Sequence, residues 1–203
     1  MIFFDFDGTI VDVWERYSAV FSDAAHIHVP IEEYIAVKKE KQRDEDIAAV
    51  YRIYLPDNYF QQKRRLLEDE RYLSTDKLLI STQKLINFFD RYACRILTSR
   101  RNKEAFYYQM EKLGLGILNA QTIVLNPDDK ISKREHLRNT VGKSKIIAVG
   151  DSRAEWEIGE LPDSMIYLVK TGLFDPEKFP YRHNCKVISD IEEFIDNYRE
   201  ENV

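Results

Sequence analysis

Short apolar runs alternate with stretches of helical periodicity from about residue 77 onward. Each run is bounded by polar or turn residues, as buried strands are, and each helical stretch is long enough to cross back over a sheet. Because strands that alternate with helices usually pair in parallel, this feature predicts a mainly parallel sheet with helices on both faces, a three-layer, Rossmann-like α/β core. We expect strands at 93–97, 122–125, 145–149, 165–169 and 187–188, and helices at 78–91, 102–113, from about 132, at 153–161 and at 190–200.

The N-terminus supplies a further strand and the first reactive side chains. Ile2–Phe4 is an apolar run of the length expected for a buried strand, and Asp5, Asp7 and Gly8 follow it. Ligands of open α/β sheets bind at the carboxyl ends of the strands, and neighbouring carboxylates are costly there without a positive charge between them. These residues therefore predict a cation and a reaction that uses carboxylates. The alternative is that Asp and Gly merely end a strand and form a turn.

The stretch at 14–74 is helical in pattern throughout. Asp12 is the expected N-cap of its first helix, since Asp accepts hydrogen bonds from the first free N–H groups of a helix. The apolar spacing predicts helices at 13–27, 31–43, 46–55 and 58–70.

The position of this helical stretch divides the chain. A segment inserted after a strand end hangs over the carboxyl edge of the sheet, so we interpret 14–74 as a cap domain and 1–13 with 75–203 as the core domain. The charged run at 38–46 within it is interpreted as a solvated helix face or a junction between helices.

Composition narrows the functional classes. The chain has 203 residues, 44% of them hydrophobic, and a net charge of −5, which fits a globular protein and argues against nucleic acid as the main partner. Cys94 and Cys185 have neither disulfide-framework nor metal-site spacing, and we expect both to be buried. No apolar run is long enough to cross a membrane, and no signal-peptide pattern is present, so a cytoplasmic location is expected. No feature of the sequence predicts an oligomeric state.

A hydroxyl pair ends the strand predicted at 93–97. Thr98 and Ser99 come just before a predicted helix, where a hydroxyl and free backbone N–H groups can bind an anion. Alternatively, one of the two simply caps the helix. Arg100 and Arg101 follow and can reach a substrate anion, although the protein surface is the usual place for arginine.

Two lysines and two acids follow later strands. Ser132 and Glu135 form a capping box that places Lys133 at the first helical position, while Lys130 lies in the preceding loop. A lysine near a reactive carboxylate would stabilise negative charge during transfer, and the sequence leaves both lysines open. The strand at 145–149 is followed by Gly150 and Asp151, with Glu155 in the next helix.

Taken in order, these strand ends resemble the four motifs of the haloacid dehalogenase (HAD) superfamily of phosphoryl-transfer enzymes. The matching positions are Asp5-Phe-Asp-Gly-Thr9, Thr98, a lysine at 133 or 130, and Gly150-Asp151. The chain departs from the usual pattern at Ser99, where the family often has Asn, and at Glu155, where it usually has Asp. The helical insertion is similar to the type 1 cap of the superfamily.

The resemblance implies a role for each of these residues. Asp5 would be the nucleophile and Asp7 the general acid and base, with Lys133 or Lys130 balancing charge. Gly8, Thr98 and Ser99 would bind the phosphoryl oxygens. Mg²⁺ is the implied cofactor, and its implied protein ligands are the Asp5 carboxylate, the Asp7 backbone carbonyl and Asp151, with Glu155 a candidate to orient metal-bound water.

Asp7 favours one branch of the superfamily. Its dehalogenases lack an acid at this position, so Asp7 indicates action on phosphate esters, while Phe6 is expected to be a core residue. The predicted function is a Mg²⁺-dependent phosphatase of a small phosphorylated metabolite. The alternatives are a sugar-phosphate phosphomutase and a non-catalytic binding or regulatory module. Trp14, Arg16 and Tyr17 are candidates to face the pocket, although Tyr17 is more simply explained by packing within the cap.

Overall fold

A six-stranded parallel sheet forms the centre of the protein, in the strand order β5-β4-β1-β6-β7-β8. The structure is a computed structural model that describes residues 1–41, 43–142 and 144–199. In chain order the strands are β1 (Ile2–Phe4), β2 (Val11–Asp12), β3 (Lys77–Leu78), β4 (Cys94–Ser99), β5 (Thr122–Leu125), β6 (Ile146–Gly150), β7 (Ser164–Val169) and β8 (Cys185–Ile188). The predicted parallel sheet is confirmed.

Helices cover the sheet and fill the segment between β2 and β3. In chain order they are α1 (Trp14–Ala25), α2 (Ile31–Lys41), α3 (Asp44–Val50), α4 (Tyr59–Leu66), α5 (Glu70–Leu73), α6 (Thr82–Arg91), α7 (Lys103–Lys112), α8 (Lys133–Thr140), α9 (Arg153–Ile158) and α10 (Ile191–Asn197). No helix of the described residues is both long and apolar enough to cross a membrane.

Strand β1 shows how the three layers form. Its side chains alternate between the two faces of the sheet, and all of them are buried. Phe4 packs on the face covered by α6, α7 and α10, with its ring centroid 5.5 Å from that of Phe89. Phe3 packs on the other face, in the cluster that includes Leu137 of α8 and Ile158 of α9. A strand that is apolar on both faces can only be central, which confirms the predicted three-layer core.

The register of the strands brings their carboxyl ends together. Phe4 is paired with Ile96 of β4 on one side and with Val149 of β6 on the other. The Asp5 N–H donates to the Val149 carbonyl at 2.8 Å, so the chain leaves the sheet just beyond this residue. The residues that follow β1, β4 and β6 therefore lie at one edge.

Helices α1 to α5 form the helical segment (residues 14–73), which has an apolar cluster of its own. Strands β2 and β3 pair antiparallel where the chain leaves and re-enters the core, with Val11 opposite Leu78. This pairing was not predicted, because each strand has only two residues. It also explains why the helix expected at 78–91 begins only at Thr82.

Some local predictions differ from the structure. Asp12 is not the N-cap of α1. That position is Val13, although the Asp12 carboxylate accepts the Trp14 N–H at 2.9 Å. The helix expected at 46–55 ends at Val50, because Arg52 has a left-handed backbone with φ of 54°. The last helix ends at Asn197, and the final residue predicted for it lies outside the described residues.

The charged run at 38–46 is partly buried rather than a solvated face. Lys38 and Asp44 are 7% and 4% exposed, and the Lys38 ammonium lies 3.1 Å from Asp44 Oδ1. Lys63 of α4 also contacts Asp44, and the Tyr59 hydroxyl donates to the same carboxylate at 2.8 Å. The contacts fit the second interpretation, a junction between helices, because Lys38 lies in α2, Asp44 in α3, and Tyr59 and Lys63 in α4. Gln42, within the run, lies outside the described residues.

Candidate active site

Asp5 and Lys133 form the centre of the site at the carboxyl edge of the sheet. The Lys133 ammonium nitrogen lies 2.7 Å from Asp5 Oδ1 and 2.7 Å from Glu155 Oε1. Lys133 is the first residue of α8, and the Ser132 hydroxyl accepts the Glu135 N–H at 3.1 Å to cap that helix. Of the two candidate lysines, Lys133 therefore lies beside Asp5, whereas Lys130 is exposed and has a left-handed backbone in the preceding loop.

Asp151 and Glu155 complete an acidic cluster around Asp5. Each of the three offers a carboxylate oxygen within 4.8 Å of the others. Glu155 Oε2 accepts hydrogen bonds from the N–H and hydroxyl of Ser152, at 3.2 and 2.6 Å, in a capping box at the start of α9. Because Lys133 contacts Oε1 of Glu155, both oxygens of this carboxylate already have partners. Asp5 and Asp151 are therefore the better placed candidates to bind a metal ion.

Burial and crowding shift the pKa values of this cluster. Burial raises the pKa of Asp5 to about 7, against the opposing attraction of Lys133. Burial, together with the negative charges of Asp5 and Glu155, raises the pKa of Asp151 well above its ordinary value. Burial opposes the charge of Lys133, but Asp5 and Glu155 outweigh it and raise the pKa of the lysine. Both raised aspartate pKa values mean that a nearby cation is needed to keep the whole cluster ionised.

Gly8 lets the loop after β1 pass close to Asp151. Its φ is +70°, and a Cβ there would lie 2.7 Å from Asp151 Oδ2. The Gly8 N–H donates to the Val11 carbonyl at 2.9 Å, and its carbonyl accepts the Thr171 hydroxyl at 2.6 Å. The phosphate-binding role of Gly8 stays a prediction, and its own backbone N–H and carbonyl already have these partners.

Thr98 and Ser99 line the same cavity as Asp5, as predicted from the end of β4. The cavity has a volume of about 230 Å³. Its polar walls come from the carboxyl edge of the sheet, and the remaining wall is largely apolar. That wall consists of Val13, Ala154, Leu173, Phe174 and the ring of Tyr17.

Two buried arginines hold Asp7. The Arg16 Nη2 atom lies 2.7 Å from Asp7 Oδ1, and Arg100 contacts the same oxygen. Arg16 is also 3.2 Å from Asp76 Oδ2, and Gln109 donates to that oxygen at 2.7 Å. Burial opposes ionisation of Asp7, but Arg100 and Arg16 outweigh it and hold the pKa of this carboxyl below its usual range. Burial raises the pKa of Asp76 to about 7, although Arg16 opposes this.

Several of these residues were missed or misplaced from the sequence. Arg100 is 5% exposed rather than a surface residue, because its N–H donates to the Leu125 carbonyl at 2.9 Å and so fixes it beside the sheet. Arg16 is buried against Asp7 and does not line the cavity, whereas Tyr17 does. The sequence did not indicate a role for Asp76, because it is a single acidic residue in a linker.

The loop after β7 also belongs to the site. The Leu173 N–H donates to Asp151 Oδ2 at 2.9 Å, and the Trp14 indole N–H donates to the Thr171 carbonyl at 3.1 Å. The only sequence signal for this loop was that it follows another strand of the same parallel sheet. Phe6 is a core residue as expected, fully buried with its ring centroid 5.0 Å from that of Phe106.

The protein is similar to known proteins in structure but not in sequence. No protein-family model matches the chain, and no curated protein matches it. A predicted phosphatase from Clostridium acetobutylicum is similar with a TM-score of 0.67 and 14% identity, over 96% of this chain and 95% of that one.

Two other solved structures are similar over almost their whole length. A predicted phosphoglycolate phosphatase from Haemophilus somnus 129pt has a TM-score of 0.65 and 14% identity, over 97% of this chain and 96% of that one. A HAD family hydrolase from Deinococcus radiodurans R1, with bound phosphate and sodium, has a TM-score of 0.61 and 11% identity, over 95% and 92%. The protein therefore has an α/β fold of the doubly wound class, and within that class it has the fold of the HAD-like hydrolases.

Proposed function

We propose that this protein is a Mg²⁺-dependent phosphatase that hydrolyses a small phosphorylated metabolite through an aspartyl-phosphate on Asp5. The observation that carries this proposal is the position of Asp5. It is a buried carboxylate 2.7 Å from the Lys133 ammonium, at the edge of the sheet where Asp151 and Thr98 also lie. Such a site offers a nucleophile, positive charge and a hydroxyl to one small anion.

The donor set fits Mg²⁺. When all three are ionised, Asp5, Asp151 and Glu155 carry three negative charges against the single positive charge of Lys133, and a divalent cation would balance the net charge of −2. Carboxylate oxygens are ligands that Mg²⁺ prefers. Asp5 and Asp151 would hold it, with the Asp7 carbonyl as a third ligand. When bound, the ion would neutralise charge on the transferred phosphoryl group.

The reaction would proceed in two steps. A carboxylate oxygen of Asp5 attacks phosphorus, the bond from phosphorus to the ester oxygen breaks, and Asp7 gives that oxygen a proton. Water then attacks phosphorus and loses a proton to Asp7, and the Asp5 carboxylate is restored. Lys133 balances charge on Asp5, while Thr98 and Ser99 bind phosphoryl oxygens.

The contacts of Asp7 bear on these two steps. With its pKa lowered by Arg100 and Arg16, Asp7 is a carboxylate at neutral pH, the form required to accept a proton from water. To deliver a proton to a leaving group, it must first be protonated, and loosening of the arginine contacts would allow that.

The helical segment would act as the cap domain in this scheme. We propose the division into a core of 1–13 and 75–203 and a cap of 14–74, in which the cap excludes bulk water during transfer. Its own apolar cluster and the β2–β3 pairing at its two chain crossings support this division.

Phosphate release tests the proposal. Purified protein should release inorganic phosphate from aryl phosphates and from members of a panel of phosphorylated metabolites, with Mg²⁺ and not with a chelator. A phosphomutase would instead interconvert hexose phosphates and require a bisphosphate primer. If no phosphoester were turned over in the presence of Mg²⁺, a non-catalytic module would be the better account.

A further inference from the structure

We infer that the substrate of this site carries its charge on the phosphate alone, and that its leaving group is small, uncharged and bound by Tyr17, Leu173 and Phe174. This inference rests on the proposed phosphatase function and names the class of substrate. It follows from the size of the cavity, the apolar part of its wall, and the ion pairs formed by the cations around it.

The cavity is small, and it opens to solvent on one side. Its volume of about 230 Å³ is below the range of about 300–1,000 Å³ typical of sites for drug-sized ligands. The polar part is taken by the transferred group, so the leaving group must lie against the rest of the wall. Tyr17, Leu173 and Phe174 supply ring and aliphatic surface there.

Lys133 is the one cationic side chain that lines this cavity among the described residues. Its ammonium is 2.7 Å from each of Asp5 and Glu155, so its charge is already balanced by carboxylates. With a divalent cation the cluster around it reaches neutrality, and the phosphate dianion then brings the site to −2. A second anionic group on the substrate would add to that excess.

The two arginines next to the cavity also form ion pairs. Arg16 and Arg100 lie beside the site, but both contact Asp7, and Arg16 also contacts Asp76. Their Nη groups therefore face two carboxylates in a buried set, and neither arginine lines the cavity, although the Nε of each has no hydrogen-bond partner among the described residues.

Lys63 approaches the cavity from the helical segment. Its ammonium is 6.0 Å from the centre of the Tyr17 ring, but the same group contacts the buried carboxylate of Asp44. Tyr17 thus presents a neutral ring to the cavity. A carboxylate or a second phosphate on the leaving group would be partly desolvated there, with no unpaired cation of the described residues lining the cavity, which is costly. A sugar bisphosphate, the primer of a phosphomutase, meets the same obstacle.

A matched pair of substrates tests the inference with the unaltered protein. The phosphate monoesters of 3-hydroxypropanamide and 3-hydroxypropanoate have nearly the same shape and differ by one negative charge. In the presence of Mg²⁺ we expect kcat/KM to be at least about tenfold higher for the amide, which is the effect of one unit charge at a partly buried site. Equal values, or a higher value for the carboxylate, would overturn the inference while leaving the phosphatase function standing. Failure to release phosphate from any ester would instead count against the phosphatase function.

A charge placed in the apolar wall should change this preference. Phe174→Lys should raise kcat/KM for the carboxylate ester relative to the amide by about tenfold. The comparison with wild type cancels any intrinsic difference in reactivity between the two esters. Tyr181→Lys is the control, because it adds the same charge at a side chain that is 91% exposed and outside this cavity. An unchanged ratio in folded Phe174→Lys protein, or an equal change in Tyr181→Lys, would contradict the inference. If Phe174→Lys does not fold, the comparison of the amide and carboxylate esters with wild-type protein still tests the inference.

Discussion

The Lys133 ammonium lies 2.7 Å from Asp5 Oδ1, although the two residues belong to different strand–helix units of the chain. Lys133 is 6% exposed and Asp5 is 9% exposed, so water does little to stabilise either charge. Removing one partner of such a pair leaves the other charged and buried, which is more costly than losing a surface ion pair.

Lys133→Met should therefore reduce both stability and turnover. We expect the free energy of unfolding to fall by about 3–5 kcal/mol, and phosphate release to fall at least about a hundredfold. Urea unfolding and a phosphate-release assay measure the two effects. Lys130→Met is the matched control, since it removes an exposed lysine from the preceding loop, and it should change neither. Comparable losses in the two variants would contradict the assignment of Lys133 to the site.

Gly8→Ala should displace Asp151. A left-handed φ costs a non-glycine residue about 1–2 kcal/mol, and here the new methyl group would also lie 2.7 Å from Asp151 Oδ2. Gly142→Ala separates the two effects, because Gly142 has a φ of +64° and a methyl group there would have no atom of the described residues within 4 Å. We expect Gly142→Ala to show only the backbone cost in urea unfolding, and Gly8→Ala to lose more stability and phosphatase activity as well. Equal effects of the two substitutions would mean that the close approach is unimportant.

Asp151→Asn should weaken metal binding. Asp151 is buried, close to Asp5, and its only hydrogen bond among the described residues is from the Leu173 N–H, so its charge depends on a cation. We expect Mg²⁺ to raise the Tm of wild-type protein, and the midpoint of that rise to need at least about tenfold more Mg²⁺ in Asp151→Asn. Asp128→Asn, which alters a surface acid paired with Arg101, should titrate as wild type does. An unchanged midpoint in Asp151→Asn would remove Asp151 from the ligand set.

Asp44 should make the helical segment sensitive to acid. Burial opposes its ionisation, but Lys63 and Lys38 outweigh it and hold the pKa of this carboxyl below its usual value of 3.8. Since the folded pKa is below the unfolded one, this stabilisation is present above pH 3.8 and is lost as the pH falls through the folded pKa.

Asp44→Asn should accordingly lower the free energy of unfolding by about 3 kcal/mol at neutral pH, and the difference from wild type should shrink at low pH. Urea unfolding across a pH series measures this. Asp46→Asn is the control, because Asp46 pairs with Arg43 at the surface and should contribute less than about 1 kcal/mol. A difference that did not depend on pH would contradict the ionic account.

The sequence predicted much of the fold, because the features that determine it are local. The strand at Thr122–Leu125 was predicted with its observed bounds, and the parallel sheet followed from the alternation of strands and helices. The β2–β3 pairing was missed, since two residues are too few to show strand periodicity and the partner lies far along the chain.

The candidate site was predictable where the chemistry follows a strand end. Asp5, Thr98 and Asp151 were found in this way, and the capping box at Ser132 favoured the lysine that the structure places beside Asp5. Arg16 and Asp76 could not be assigned, because their roles depend on how the helical segment packs against the loop after β1. No local sequence pattern indicates this packing.

Phosphate release by Asp5→Asn tests the central claim most directly. Asn has nearly the same shape as Asp but lacks the nucleophilic carboxylate, and Lys133 keeps Glu155 as an ion-pair partner, so the fold should remain, as judged by circular dichroism. With an aryl phosphate and Mg²⁺, we expect wild-type protein to turn over and Asp5→Asn to be slower by at least about a thousandfold. A folded Asp5→Asn variant that releases phosphate at the wild-type rate would contradict the account.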